Sequence, residues 1–393
     1  MRQQNDFITA RDNFFLERGW CLKQCPKCSG FYFTKKDLAN CGAYTCVGDN
    51  YTFLDIPAPK DFIELDLCQS HFLDYFNGHG YQKVSPLNVT RENERTLFAS
   101  AAGQVFDCLV YEKKQQVDFH EVCVIQPVIR LQGIDLVGET EGFSTSFLNA
   151  GIDQWGATID QHFIALDRLL DFFSLQDFYV GNLCMKYSYG ENDWSNKNVF
   201  ADMLRINYGG LEIGIANYFS EIPQNNSLPV SMSDISIGLE RFLWARNKTA
   251  SYFDAIGPLT YAMRGDTILM DTLRTLTLMA GSGVMPGHQN HGYKLRLIAN
   301  RISNPLQKIP FSELIEFYYK QWSSVISLPI PMASVNNIIE REIDRNAILA
   351  LNERLGVDES IRQTQEEFLQ SLLKKKIFSL AELRRLLGET NHE

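Results

Sequence analysis

The chain has 393 residues, enough for two or three domains, and 45% of it is hydrophobic against 21% charged, the balance of a globular protein with a large core. A net charge of −10 excludes a surface coated in basic charge for nonspecific nucleic-acid binding, while leaving room for a local basic face. Met1–Asp12 is polar and lacks a signal-peptide layout, and no apolar run reaches the length of a membrane span, so the expectation is a soluble, cytoplasmic protein with no membrane partner.

Five of the nine cysteines, Cys21, Cys25, Cys28, Cys41 and Cys46, fall in the first fifty residues. In a chain without an export signal such clustering favours a metal over disulfides. Cys25-Pro-Lys-Cys28 is followed after twelve residues by Cys41 and after four more by Cys46, the layout of two thiolate knuckles that close one tetrahedral zinc site. Four thiolates leave no open position, so zinc held by Cys25, Cys28, Cys41 and Cys46 would be structural, with Cys21 spare. Gly30 and Gly42 fall where knuckle turns call for glycine, and Phe31, Tyr32 and Phe33 are expected to pack over the metal. Cys68, Cys108, Cys123 and Cys184 lie in apolar sequence and read as inert core residues.

Phe62–Gly80 carries apolar residues at helical spacing and closes on Asn77-Gly78-His79-Gly80. Val84–Val89 reads as a strand with Pro86 at its edge. Val122–Arg130 reads as a buried strand ending in an arginine, costly there unless paired; a structural ion pair and a phosphate contact are both open for Arg130. A loop over 131–145, with Gly133, Asp135, Gly138 and Gly142, leads to a returning strand over Thr145–Asn149. His162–Phe173 reads as an apolar helix, Tyr187–Trp194 as a strand entering a polar loop, and Tyr208–Phe219 as a further strand. A strand, a long helix and then several strands in hairpin order predict an α+β fold, an antiparallel sheet with helices on one side.

Ser231–Arg246 reads as a strand that enters Gly238 and then a helix. Glycine permits close backbone approach, and Arg241 on the first helical turn offers fixed charge and forked donors suited to phosphate. Asp234, four residues before the glycine, suits a cation such as a substrate ammonium. Taken alone the stretch reads first as an ordinary strand-to-helix turn carrying a surface Glu240–Arg241 pair. Beyond residue 310, Phe311–Ser323, Ser334–Leu355 and Ser360–Leu387 read as three amphipathic helices.

Taken in order, these pieces resemble a class II aminoacyl-tRNA synthetase, and within it the catalytic part of archaeal-type alanyl-tRNA synthetase, over most of residues 15–305. The leader with Cys25, Cys28, Cys41 and Cys46 resembles that family's. Gln126–Leu131 and Ile134–Gly138 resemble its motif 2. Ser233-Asp234-Ile235-Ser236-Ile237-Gly238-Leu239-Glu240-Arg241 resembles its motif 3, followed by Phe253-Asp254-Ala255-Ile256. Asp271–Arg274, Gly283–Pro286 and Gly292–Arg296 resemble its helical tRNA-recognition region. The resemblance implies a four-cysteine zinc-binding module over 1–55, an adenylating catalytic domain over 56–250 with a six- or seven-stranded antiparallel sheet, and a helical acceptor domain over 251–393. It implies ATP and Mg²⁺ in a reaction of amino acid with ATP to give aminoacyl-adenylate and pyrophosphate. Arg130 would face the α-phosphate and Arg241 the far end of the triphosphate. Asp135, Phe147 and Glu240 would complete the ATP contacts, Phe147 by stacking on adenine or, equally, as a core residue. Asp234 would bind the substrate ammonium, and Trp194, Asn217, Ser236 and Gly238 would line the amino-acid pocket.

The chain departs from the family pattern at several places. The family's Arg-His pair and Phe-Glu-Met in motif 2 are replaced by Gly142-Phe143 and Phe147-Leu148-Asn149. Ser236 stands where the family has glycine, which narrows the pocket toward alanine or glycine or else selects a polar substrate. Asn217 falls near a usual valine. Pro286-Gly287-His288 replaces the Pro-Ser-Asn tied to alanine-tRNA recognition, and the expectation is an enzyme without the family's editing domain and oligomerising tail. The expected acceptor is therefore either tRNA, through a helical region bearing Arg274, Lys294, Arg296 and Arg301, or another group such as a carrier-protein thiol, a peptide or a metabolite. A non-catalytic regulatory paralogue is the third reading, and a homodimer is an expectation the family carries.

Overall fold

A computed structural model describes residues 2–91, 96–110, 118, 120–192, 199–222, 229–257, 266–302, 311–361, 364–375, 377–379 and 382. The chain divides into two compact units, Met1–Gly265 with Ser324–Ile326, and Asp266–Ser323 with Ser327–Glu393.

The first unit is built on one sheet of nine strands: β1 (Cys21–Gln24), β2 (Phe31–Thr34), β3 (Gln82–Lys83), β4 (Glu121–Ile129), β5 (Ser146–Trp155), β6 (Leu183–Asn192), β7 (Val199–Tyr208), β8 (Leu211–Ile222) and β9 (Val230–Gly238). Their order is β1-β2-β6-β7-β8-β9-β5-β4-β3. Every pairing is antiparallel except β3 with β4. The sheet has two more strands than the larger expected number, and β1 and β2 from the cysteine-bearing segment extend it beyond β6.

Among the described residues six helices belong to this unit: α1 (Arg2–Glu17), α2 (Tyr44–Val47), α3 (Leu65–Gly78), α4 (Asp107–Val110), α5 (Ile159–Leu175) and α6 (Leu239–Asn247). The long ones stack apolar stripes on one sheet face. Phe7 of α1 lies against Tyr218 and Phe163, and Phe172 and Phe173 of α5 lie against Phe242 of α6. Thr158 caps α5 in a reciprocal box with Gln161, which fixes where the chain turns off β5 into the helix. The opposite face is covered over part of its area by a 3₁₀ turn, Ala102–Phe106, packed with Val122, Val124, Phe219 and Met232.

Three expectations are corrected. Val84–Val89 is not a strand: pairing stops at Lys83, and Gln126 instead uses its side-chain amide to satisfy both backbone groups of Leu87. Pro86 has no N–H to contribute to a ladder. Tyr208–Phe219 is not one strand, because Gly209 and Gly210, at φ of 52° and 97°, form the tight turn between β7 and β8. Of the three aromatics after Cys28, Tyr32 alone packs with the cysteines; Phe33 stacks on Phe15 at 4.4 Å and Phe31 is exposed.

The second unit contains α7 (Thr267–Gly281), α8 (Asn290–Ala299), α9 (Phe311–Ser323), α10 (Met332–Leu355) and α11 (Gln365–Lys374). Most of the expected helix over Ser360–Leu387 beyond α11 lies outside the described residues. α7 is buried almost throughout. Arg274 is wholly buried on it, with its guanidinium 4.3 Å from the centre of the Trp322 ring and Nε donating to Gln321. Arg301 pairs with buried Asp271 at 2.6 Å. Arg296 pairs with buried Glu342 at 3.2 Å, so three of the four cations expected to face an RNA hold this unit together.

Candidate active site

One register of cross-strand neighbours runs along the sheet face opposite the helices. In successive rows, Asn149 of β5 faces Gly238 of β9; Gly151 faces Ser236, which faces Ile215 of β8; Asp153 faces Asp234, which faces Asn217. Rows on the same face recur about every 7 Å along a strand. Asp234, Ser236 and Gly238 therefore run in line toward the start of α6, where Arg241 stands.

At that end lies a cavity of about 250 Å³ lined by Arg130, Phe143, Phe147, Glu212, Ser236, Gly238, Glu240 and Arg241 among others. Arg130 follows directly on β4, and its guanidinium donates to the carbonyl of Ser100 through Nε at 2.7 Å and also through Nη2. It lies 5.1 Å from the centre of the Phe147 ring. Desolvation by the enclosing walls lowers its pKa, while the carboxylates of Asp234 and Glu212 act the other way and Arg241 adds repulsion. Its surface is open to the cavity although its surroundings are protein, so it is an enclosed cation held ready for an anion. Arg241 is fixed differently. Nε donates to the Gly142 carbonyl at 2.7 Å, Nη1 to the Glu212 carbonyl at 3.2 Å, and the guanidinium lies 5.1 Å from the centre of the Phe143 ring. Both arginines thus spend donors on neutral carbonyls and keep their charge for something else.

Gly238 is informative for what it does not need. Its φ is −79°, which any residue adopts, and a Cβ there would meet nothing nearer than Phe147 Cδ2 at 4.0 Å. The missing side chain leaves open space in the cavity wall. Gly214 beside it is demanded by the protein itself, since a Cβ would lie 2.6 Å from the Ser236 carbonyl.

Glu240 is wholly buried, and both its carboxylate oxygens lie 2.9 Å from the backbone nitrogen of Leu148. It borders the cavity while tying α6 to β5. Asp135 sits exposed on the 3₁₀ turn Ile134–Leu136, away from the cavity lining. Asp234 and Asn217 lie one row beyond the lining residues; Asn217 Nδ2 donates to Asp234 Oδ2 at 3.2 Å. Burial raises the pKa of Asp234, opposed by Asn217, Asp153 and Arg130. Trp194 lies outside the described residues. Sequence reasoning missed Glu212, Ser144 and Tyr252 as cavity residues, and missed Asp153, whose only signal was a charge inside an apolar strand.

The cysteines form a second centre. The Sγ atoms of Cys25, Cys28, Cys41 and Cys46 all lie within 4.8 Å of one another, with pairs at 3.7, 3.8 and 3.9 Å. Disulfide sulfurs would be about 2 Å apart. A tetrahedral site with Zn–S near 2.3 Å has S–S edges of about 3.8 Å, which these match. Desolvation acts to raise the Cys25 thiol, but the backbone N–H groups of Cys28, Cys41 and Lys27 outweigh it and bring it to about 6. The left-handed residues of the knuckles are Ser29 and Gly42, with φ of 56° and 68°; Gly30 instead admits Lys186, whose Cε would lie 3.2 Å from a Cβ there.

One antiparallel sheet delivers a strand-end arginine and a strand–glycine–helix arginine to one cavity, with helices stacked on the other face, the arrangement expected from the resemblance to class II aminoacyl-tRNA synthetases. Among curated proteins the chain is similar to alanine–tRNA ligases. It is 24% identical over 379 residues to the alanine–tRNA ligase of Korarchaeum cryptofilum, covering 79% of this chain and 42% of that one. It is 26% identical over 274 residues to the alanine–tRNA ligase of Thermoplasma acidophilum, covering 65% of this chain and 31% of that one. The chain thus spans under half the length of these relatives. Among solved structures, a pyrrolysyl tRNA synthetase from Desulfitobacterium hafniense aligns over 51% of this chain and 73% of its own with a TM-score of 0.37 and 13% identity. No family model matches the chain. No helix among the described residues is long and apolar enough to cross a membrane.

Proposed function

We infer that this chain activates a small amino acid, alanine or glycine, with ATP to form an aminoacyl-adenylate and pyrophosphate, and passes the aminoacyl group to an acceptor. The observation that carries the reading is the convergence of Arg130 and Arg241 on one cavity whose floor is continued, row by row, by Gly238, Ser236 and Asp234. The substrate ammonium takes the Asp234 end. Its carboxylate then lies toward Arg130, where the attack on the α-phosphorus builds negative charge. Arg241 holds the outer phosphates, and pyrophosphate leaves. No general base is needed, because a carboxylate is already a nucleophile at neutral pH. Phe147 and Phe143, each already facing a guanidinium, offer flat surfaces to the adenine. Mg²⁺ carried on the phosphates would neutralise and bend the triphosphate; Glu212 is the cavity-lining carboxylate that suits it. Zinc would fill the four-thiolate site and serve only structure, since no coordination position is left open.

The acceptor is tRNA or a non-tRNA group such as a carrier-protein thiol. Burial of Arg274 and pairing of Arg301 with Asp271 leave fewer free cations on the helical unit for RNA, which favours the second. Charging of total tRNA, measured beside adenylate formation, tests this: adenylate formation without tRNA charging is expected, and efficient charging would reassign the acceptor.

A further inference from the structure

Asp153 is the polar group that the adenylation reading leaves unused. It is wholly buried near the C-terminal end of β5, directly opposite Asp234 on β9. Among the described residues neither of its carboxyl oxygens has a hydrogen-bond donor, and neither does Oδ1 of Asn217, itself 5% exposed, in the same cross-strand row. Two glycines make the room. A Cβ on Gly151 would lie 2.3 Å from Ala102 Cβ and 2.7 Å from Asp153 Oδ2, and a Cβ on Gly103, in the covering 3₁₀ turn, would lie 3.2 Å from Met232 Cε and 3.4 Å from both Asp153 Oδ1 and Asp234 Cγ. The bare backbone at these two positions lets the 3₁₀ turn close over the sheet with both carboxyl groups packed against it.

Two carboxylates cannot both stay ionised this close and this deep. Arg130 is the cation acting on Asp234, and the groups that feel Asp153 from neighbouring elements, Tyr81 and Cys123, are neutral. Burial and the proximity of Asp234 raise the pKa of Asp153 well above the carboxylate range, whereas Asp153 lowers that of Asp234. One member therefore keeps a proton, and it is the more buried one.

The geometry points to Asp153 as a positioning residue: its protonated carboxyl donates to Asp234, which, with Asn217 Nδ2 on its other side, is held as a singly charged seat for the substrate ammonium. The inference rests on the adenylation reading. It adds that the seat is a pair of carboxyls sharing one proton, with Asn217 Oδ1 as a further waiting acceptor for an ammonium N–H. Removing the donor frees Asp234 to rotate and costs a hydrogen bond to a charged group, worth roughly tenfold to hundredfold in binding.

The test pairs a spectroscopic and a kinetic readout on the full chain. Infrared difference spectra at neutral pH should show the carbonyl stretch of a protonated carboxyl that disappears in Asp153→Asn. Asp153→Asn keeps a donor to Asp234 and should leave the KM for alanine in ATP–pyrophosphate exchange within about threefold of the parent. Asp153→Leu should raise that KM roughly tenfold to hundredfold, with the KM for ATP nearly unchanged. Exchange without the infrared band, or equal alanine KM values in the two variants, would overturn the inference alone. The band without exchange by any amino acid would overturn the seat's role together with the adenylation reading.

Discussion

Both carboxylate oxygens of Glu240, on the first turn of α6, lie 2.9 Å from the backbone nitrogen of Leu148 in β5. The bond crosses from the helix that carries Arg241 to the strand that carries Phe147, so it sets the spacing of the two cavity walls. A buried carboxylate bonded in this way is worth about 1.5–3 kcal/mol. Glu240→Ala should lower stability by that amount in denaturant unfolding, and Glu240→Gln, which keeps an acceptor, by less. A Glu240→Ala protein as stable as its parent would show that α6 is held by other contacts.

The arginines should separate chemistry from stability. Among the described residues Arg130 hydrogen-bonds to the Ser100 carbonyl alone, so Arg130→Ala is expected to cost little in melting temperature and about a hundredfold to a thousandfold in the rate of amino-acid-dependent ATP–pyrophosphate exchange. Arg130→Lys keeps the charge without the fork and should recover only part of that rate. A large loss of stability with unchanged exchange would make Arg130 a structural residue.

The strand–glycine–helix, the buried strand before Arg130 and the cysteine knuckles were legible because each depends on residues near one another in sequence. Register was not. That Asp153 faces Asp234 depends on β9 inserting between β8 and β5, a non-local pairing that no periodicity reports. Gly209-Gly210 misled for the opposite reason: the flanking β-rich sequence ran on both sides, and the turn between β7 and β8 was read through. The charges on α7 looked free because burial of an arginine such as Arg274 requires Trp322 and Gln321, about fifty residues on, to receive it.

The four cysteines predict about one tightly held zinc per chain, measured by metal analysis of reduced protein. Cys28→Ser should release it and unfold the β1–β2 segment, seen as faster amide exchange there, while β5 and β9 stay protected. Retention of full zinc by the variant would contradict the four-thiolate assignment.

His162 supplies a pH test of the helix-covered face. Its Nδ1 lies 2.7 Å from Ser233 Oγ, beside Asp234 in β9, and burial pushes the imidazole down to about 3. In the unfolded chain it titrates near 6.5. The native state therefore holds it neutral: its contribution to stability is full above about 6.5 and is lost as pH falls toward 3, by up to about 1.4 kcal/mol per pH unit. His162→Gln should flatten the stability profile between about pH 6 and 4. Parallel profiles for the two proteins would contradict a buried neutral imidazole.

Ser236 lines the cavity between the Asp234 row and Gly238. Ser236→Gly enlarges the pocket by one hydroxymethyl group, so selectivity for glycine or alanine over the next larger side chains should fall by about tenfold, read as relative kcat/KM. Unchanged selectivity would place the side-chain pocket elsewhere on the sheet.

Adenylation of a small amino acid is tested most directly by ATP–pyrophosphate exchange run over all twenty amino acids without RNA. Stimulation by alanine or glycine, abolished in Arg130→Ala and Arg241→Ala, is the result it predicts. No exchange with any amino acid, in the presence or absence of tRNA, would contradict it.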